Sequence, residues 1–170
     1  MIILGIGSNL SSSYGNRFKN IDLAISYLQN YGINIEKKSS FYETPSYPDN
    51  KNPKFINVVV QVSTKLPPVD LASVLIFIEE KLERKRIKKN DPRTCDIDII
   101  DYNNKITNFE YNNLKFTVPH EKMIYRNFVL LPLLEILPEW IHPKTKESIS
   151  KLFENLPQVD KNSILKVTKY

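Results

Sequence analysis

The apolar residues of the first hundred positions switch between a period of two and a period of three to four, and the order of these switches restricts the fold more than any other feature. Ile2, Leu4 and Ile6 alternate with Ile3, Gly5 and Gly7 in a short strand that ends in the polar turn Ser8-Asn9. From Asn16 to Tyr31, Phe18, Ile21, Ile25 and Leu28 recur along one helical face, and Gly32 supplies the stop. Residues 33–42 alternate loosely. Residues 55–64 alternate well, with Ile56, Val58, Val60 and Val62 on one face and Phe55, Asn57, Val59 and Gln61 on the other. After Pro67-Pro68 a second helix turns Leu71, Val74, Leu75, Ile78 and Leu82 inward, and residues 96–102 predict another strand. The order βαββαβ specifies an α+β, ferredoxin-like core: an antiparallel sheet with helices packed on it and its other face free for ligands. Residues 103–170 predict a hairpin and short helices, with no role assigned to the tail 158–170.

A chain of 170 residues fits one domain spanning 1–170. The longest apolar runs are broken by Asp70 and Pro132 and fall short of the roughly 20 residues that span a bilayer. Met1 leads into Ile-Ile-Leu-Gly without a basic leader segment, so a cytoplasmic protein with no membrane partner is expected. A single cysteine, Cys95, excludes an internal disulfide, and with only His120 and His142 beside it a structural zinc site is disfavoured. Cys95 shares the parity of Ile97 and Ile99 and belongs to the core, and His142 carries no functional reading. The net charge of +5 attracts polyanions, which includes nucleotides as well as nucleic acids.

Asp96 and Asp98 stand two apart on a predicted strand, so both carboxylates leave the same face. Such a pair suits magnesium, which takes one or two protein carboxylates and completes its shell with water and phosphate oxygens; two solvated surface aspartates are the plainer alternative. Lys81, Arg84, Lys85, Arg86, Lys88, Lys89 and Arg93 crowd the preceding helix end and loop. They form either a solvated basic stretch or the donors for a metal-bound triphosphate. Glu79 lies one turn before Arg84 and is either a surface charge on the second helix or a group that orients one of these arginines. No G-x-x-x-x-G-K-[ST] sequence occurs, and Gly5-Ile6-Gly7 has Leu10 where a dinucleotide fingerprint needs its third glycine. Side chains and metal must therefore hold any triphosphate. Thr117-Val118-Pro119-His120 and Arg126-Asn127-Phe128 either aim His120 and Arg126 at the same phosphates or use them structurally, a capping or packing role being at least as common for His120. Residues 43–54, with Pro45, Pro48 and Pro53, predict a mobile surface loop.

These stretches resemble 6-hydroxymethyl-7,8-dihydropterin pyrophosphokinases. The likeness runs through Gly5-Ile6-Gly7-Ser8-Asn9-Leu10, Ser40-Phe41-Tyr42-Glu43-Thr44-Pro45, Phe55-Ile56-Asn57, Pro92-Arg93-Thr94-Cys95-Asp96-Ile97-Asp98, Val118-Pro119-His120 and Pro132-Leu133-Leu134-Glu135-Ile136-Leu137-Pro138. It implies ATP and hydroxymethyl-dihydropterin as substrates, two Mg²⁺ ions on Asp96 and Asp98, and catalytic roles for Asp96, Asp98, Arg84 and Arg93. It further implies a nucleotide site of Glu79, Arg84, Arg86, Arg93, Ile99, His120 and Arg126, and a pterin pocket of Thr44, Pro45, Phe55, Asn57 and Phe128. Two aromatic rings can sandwich a flat heterocycle, and an amide offers both donor and acceptor to its edge.

The sequence departs from the family pattern at Glu83, commonly glycine, at Asn90, near a tryptophan in some members, at Glu121, often aromatic, and at Ile76, often polar. The expected reaction is in-line attack of the hydroxymethyl oxygen on the β-phosphorus of ATP, with loops 43–54 and 84–91 closing over the substrates. A monomer is expected, associating at most weakly with other folate-pathway enzymes. A nucleic-acid-binding module is the competing class, but Asp96 and Asp98 on the sheet face would repel a phosphate backbone. A nucleotidyl transferase would differ in its product, with AMP attached to the acceptor.

Overall fold

A computed structural model describes residues 1–169. Strands β1 (Ile2–Ser8), β2 (Asn34–Lys38), β3 (Phe41–Thr44), β4 (Phe55–Ser63) and β5 (Asp96–Tyr102) alternate with helices α1 (Arg17–Asn30) and α2 (Pro68–Lys81) as the periodicity requires. The expected strand over 33–42 is split in two, both halves lying antiparallel on β4. At the break Ser39 substitutes for ladder geometry: its N–H donates to Val59 O at 2.9 Å and its hydroxyl accepts from Val59 N at 3.0 Å. Counting β2 and β3 as one strand gives the βαββαβ order, and β1 lies between β5 and β4 in a six-stranded antiparallel sheet.

Capping chemistry fixes the helices. Asn16 accepts from Lys19 N at 3.0 Å before α1, Gly32 takes a φ of 75° after it, and Pro68 opens α2 where a missing N–H costs nothing. Both helices bury their apolar stripes against Ile2, Leu4, Ile6, Ile56, Val58, Val60, Ile97 and Ile99.

The opposite face is not free along its whole length, which corrects the expectation from the sequence. Ile3, Val59 and Ile100 form a second core with α3 (Asn127–Ile136) and α4 (Ile149–Glu154), completed by Met123 and Trp140. A bulge between Ile3 and Leu4 in the pairing with β5 turns both Ile100 and Asp101 to this side. There Trp140 Nε1 donates to Asp101 Oδ2 at 3.0 Å. Gly7, Asn57, Asp96 and Asp98, on the other half of this face, lie outside that second core.

The expected hairpin is β6 (Thr107–Tyr111) with β7 (Leu114–Val118), its Phe109 and Phe116 rings stacked at 5.0 Å. The tail supplies α5 (Gln158–Asn162) and β8 (Leu165–Val167), and β8 pairs with β3 at one margin of the sheet.

Candidate active site

β5 is an edge strand, so one side of it lacks a strand partner. Glu79, in the last turn of α2 and 2% exposed, takes that place: its Oε2 accepts from Ile97 N at 2.8 Å. The same oxygen accepts from Arg84 Nη1 at 2.8 Å, and Oε1 accepts from Arg86 Nη2. Burial, then the charge of Asp96, pushes the Glu79 carboxyl up to about 7, against the pull of Arg84 and Arg86. The chain thus uses one buried carboxylate to close a strand edge and to hold two guanidinium groups.

Asp96 and Asp98 project to the same side, as the strand parity predicts. Asp96 Oδ1 accepts from Arg84 Nη1 at 2.7 Å and Oδ2 from Arg93 Nη1 at 3.4 Å. Asp98 Oδ2 accepts from Arg126 Nη1 at 3.3 Å, with His120 Nε2 3.9 Å away. Burial raises the pKa of Asp96, but Arg84 and Arg93 outweigh it and hold the group below its ordinary range. Asp98 is pushed up to about 7 by burial and by the charge of Asp96. His120 is pulled down to about 4 by burial and by Arg126, so its ring is neutral near pH 7. Its Nδ1 accepts from Lys122 N at 3.2 Å, leaving Nε2 toward Asp98.

A cleft of about 280 Å³ opens beside this group, between α2, the outer side of β5 and the β6–β7 hairpin. Ile76, Ile99, Phe116 and Glu121 line it together with Arg86 and Arg126. The expected nucleotide residues Glu79, Arg86, Ile99, His120 and Arg126 therefore share one cleft with both aspartates, and Arg84 and Arg93 reach it through Asp96.

Of the residues expected to hold the pterin, Thr44, Phe55 and Asn57 lie together across the sheet on neighbouring strands. Thr44 pairs with Phe55 and Tyr42 with Asn57 on β3 and β4. Asn57 is 4% exposed, and its Nδ2 donates to Tyr42 O at 3.3 Å and to Thr44 Oγ1 at 3.0 Å. The amide does not offer donor and acceptor alike: its donors are spent inside the protein, and Oδ1 lies on the side of Gly7. Gly7 keeps the space beside them open, since a Cβ there would lie 3.2 Å from Asn57 Oδ1 and 3.5 Å from the Phe55 ring. Pro45 is exposed at the start of the proline-rich loop.

Two arginines join the halves. Arg93 Cζ lies 5.6 Å from the Phe55 ring centroid while its Nη1 meets Asp96, and Arg126 Cζ lies 5.5 Å from the Phe128 ring while its Nη1 meets Asp98. Each cation is shared between an aromatic ring and a carboxylate.

Sequence reasoning missed the supports of this arrangement. Asn9, 2% exposed, donates through Nδ2 to Ser46 Oγ and Pro53 O at both roots of the proline-rich loop. Glu83 takes a φ of 69°, the backbone region that favours glycine, and its carboxylate accepts from Ser13 N at 2.7 Å and Ser13 Oγ at 2.6 Å. Asn90 also has a positive φ, of 66°. The glycine-rich first motif was the one local signal for Asn9, and the departure from glycine was the signal for Glu83. His142 caps a turn, its Nδ1 accepting from Lys144 N and Thr145 N, and Cys95 is buried with its thiol pKa pushed up by burial. Among the described residues no helix is long and apolar enough to cross a membrane.

Residues 3–138 match the family described as 7,8-dihydro-6-hydroxymethylpterin-pyrophosphokinase (HPPK). The 2-amino-4-hydroxy-6-hydroxymethyldihydropteridine pyrophosphokinase of Synechocystis sp. is 35% identical over 155 residues, 91% of this chain and 75% of that protein. The enzyme of the same name from Aquifex aeolicus is 34% identical, covering 84% and 83%. The chain spans only 21% of the folic acid synthesis protein fol1 of Pneumocystis carinii, to which it is 37% identical. Among solved structures, wild-type Plasmodium falciparum HPPK-DHPS with pteroate superposes with a TM-score of 0.71 at 16% identity, covering 90% of this chain and 43% of that one. At that identity the likeness bears on the fold, whereas the match over residues 3–138 and the two bacterial enzymes show kinship: the chain belongs to the 7,8-dihydro-6-hydroxymethylpterin-pyrophosphokinase family.

Proposed function

We propose that this protein transfers the terminal pyrophosphoryl group of ATP to the hydroxymethyl oxygen of 6-hydroxymethyl-7,8-dihydropterin, releasing AMP, as a step of folate biosynthesis. The observation that carries the reading is the pair Asp96 and Asp98, each bound to an arginine that also lies on an aromatic ring of the pterin side.

The donor set fits magnesium. Two hard carboxylates sit side by side on a rigid strand, and among the described residues no group of three or more His, Cys, Asp or Glu is arranged to enclose a metal. Such a pair leaves the remaining positions to water and triphosphate oxygens. We assign two Mg²⁺ ions to Asp96 and Asp98, which when bound neutralise triphosphate charge and acidify the attacking hydroxyl.

The protein's own groups supply alignment. Arg84, held between Glu79 and Asp96, and Arg86 present fixed cations to the phosphates. His120, neutral near pH 7 and with Nδ1 accepting from Lys122 N, donates at Nε2 without adding charge beside Asp98. Ile76 and Ile99 bound the adenine side of the cleft. Phe55 and Phe128 take the pterin ring between them, with Thr44 and Pro45 at its margin and Asn57 Oδ1 accepting from its amino edge. Loops 43–54 and 84–91 close over both substrates and exclude water.

Incubation with Mg²⁺, ATP and the hydroxymethyl-dihydropterin, followed by identification of the nucleotide, tests the reading. AMP with a diphosphorylated pterin is expected. ADP, or a pterin carrying AMP, would show a different transfer.

A further inference from the structure

Helix α3 begins without a side-chain cap: Arg126 occupies the capping position and makes no such bond. This matters because the first turn carries Arg126 and Phe128, on opposite sides of Asn127. What fixes the turn comes from the far end of the chain. Asn127 is 8% exposed, and both hydrogens of its Nδ2 are used, on Asp160 O at 2.7 Å and on Ser163 Oγ at 3.1 Å. Ser163 Oγ in turn donates to Asp160 O at 3.2 Å.

Beyond Ser163 the chain runs into β8, which pairs Leu165 with Glu43 and Lys166 with Tyr42, immediately before Thr44. Lys166 Nζ lies 3.1 Å from Glu135 Oε2 near the other end of α3, and Glu135 accepts from Ser40 N at 2.6 Å and Ser40 Oγ at 2.7 Å at the start of β3. The tail, α3 and β3 thus close a ring of contacts whose two ends carry Phe128 and Thr44.

The segment buries little that would explain it as core: of residues 157–167 only Ile164 is buried, and Val167 packs against the main core half-buried. None of the residues of α5 is buried, and Val159 and Leu165 are 71% and 58% exposed. It also lies beyond residues 3–138, the stretch matched to the family.

We propose that residues 157–167 are a strap that sets the spacing of the pterin pocket, with Asn127 as the positioning residue through which the strap holds Phe128 and Arg126. The proposal rests on the pterin reading given above and adds a part to that site. Without the two bonds of Asn127 the first turn of α3 shifts on its uncapped end, Phe128 is no longer held in place, and Arg126 loosens on Asp98. The cleft lined by α2 and the hairpin feels this only through Arg126, while Glu79, Arg86, Ile76 and Ile99 on its other walls keep their places.

Steady-state kinetics of full-length Asn127→Ala, varying each substrate in turn, tests this. The pterin KM is expected to rise about tenfold, the scale of two lost buried hydrogen bonds, while the KM for MgATP stays within about twofold. Ser163→Ala, which removes one of the two acceptors and leaves the helix intact, should raise the pterin KM by roughly two- to threefold. It decides the matter if Asn127→Ala does not fold. An unchanged pterin KM in the folded variants, or equal rises in both KM values, overturns the strap while leaving the pyrophosphokinase reading in place. Wild-type protein that forms no AMP overturns both.

Discussion

The backbone N–H of Arg93 donates to the side-chain oxygen of Asn9 at 2.7 Å, and the Asn9 N–H donates to Arg93 O at 3.0 Å. With Nδ2 on Ser46 and Pro53, one buried amide joins the roots of the proline-rich loop and of the basic loop that ends at Arg93. Asn9→Ala would strand the Arg93 N–H, at about 1–3 kcal/mol where water cannot reach, and lose the two Nδ2 bonds at about 0.5–1.5 kcal/mol each, although Pro53 O keeps the Ser46 hydroxyl as donor. We expect urea unfolding to show a loss of roughly 2–4 kcal/mol. Because Arg93 also loses its fixed approach to Asp96, kcat/KM should fall by about 10²-fold at temperatures where the variant is folded.

Asp96 and Asp98 should separate in their effects on stability but not on turnover. Either alanine variant is expected to lower kcat by about 10²-fold or more, the loss seen when a transition-state electrostatic contact is removed. Asp96→Ala leaves Arg84 and Arg93 short of a partner, whereas Asp98→Ala removes a carboxylate whose charge is already disfavoured by burial and by Asp96. Thermal melts should therefore place Asp98→Ala above Asp96→Ala. Near-normal turnover in both would defeat the metal assignment, as would AMP formation that persists in excess chelator.

What was legible in the sequence was the part governed by period. Strand parity put Asp96 with Asp98 and Phe55 with Asn57 on common faces, and the structure keeps both pairs. The contacts that hold those faces in register join residues far apart in the chain, as Asn9 and Arg93 do, and leave no local pattern. The second core was hidden for a related reason. Ile3, Val59 and Ile100 occupy the same parity as the site residues, so alternation alone could not say where α3 covers the face and where it stops. The bulge opposite Ile3 and Leu4 shifted parity within β5 without any glycine or proline to mark it. Glu83 showed itself only as a departure, and its reason lies in Ser13.

That contact gives a proteolysis test. Glu83 pays for a left-handed backbone with two short bonds from Ser13, which tie the start of the basic loop to the segment after β1. Glu83→Gly accepts the same φ without strain but drops both bonds. The variant should keep the wild-type melting behaviour and be cut severalfold faster by trypsin between Arg84 and Lys89. Equal cleavage rates would mean that the Ser13 contact does not restrain the loop.

Glu135 supplies a pH signature of the contacts between α3, β3 and β8. Burial would raise its carboxyl pKa, but hydrogen bonds from the Ser40 hydroxyl and N–H, followed by the charge of Lys166, outweigh it and leave the group below the ordinary 4.5. A carboxyl depressed in the folded state binds its proton more readily when unfolded. Its contribution to stability is therefore full above about 4.5 and fades as the pH falls through the folded value. Glu135→Gln removes the charge and the acceptor for one Ser40 donor, so the wild type should exceed it in urea midpoint at pH 6. The gap should narrow steadily between pH 4.5 and the depressed folded value, because the protonated glutamate then resembles the amide. A gap that is constant with pH would mean that Glu135 acts through shape alone, without its charge on Lys166 and Ser40.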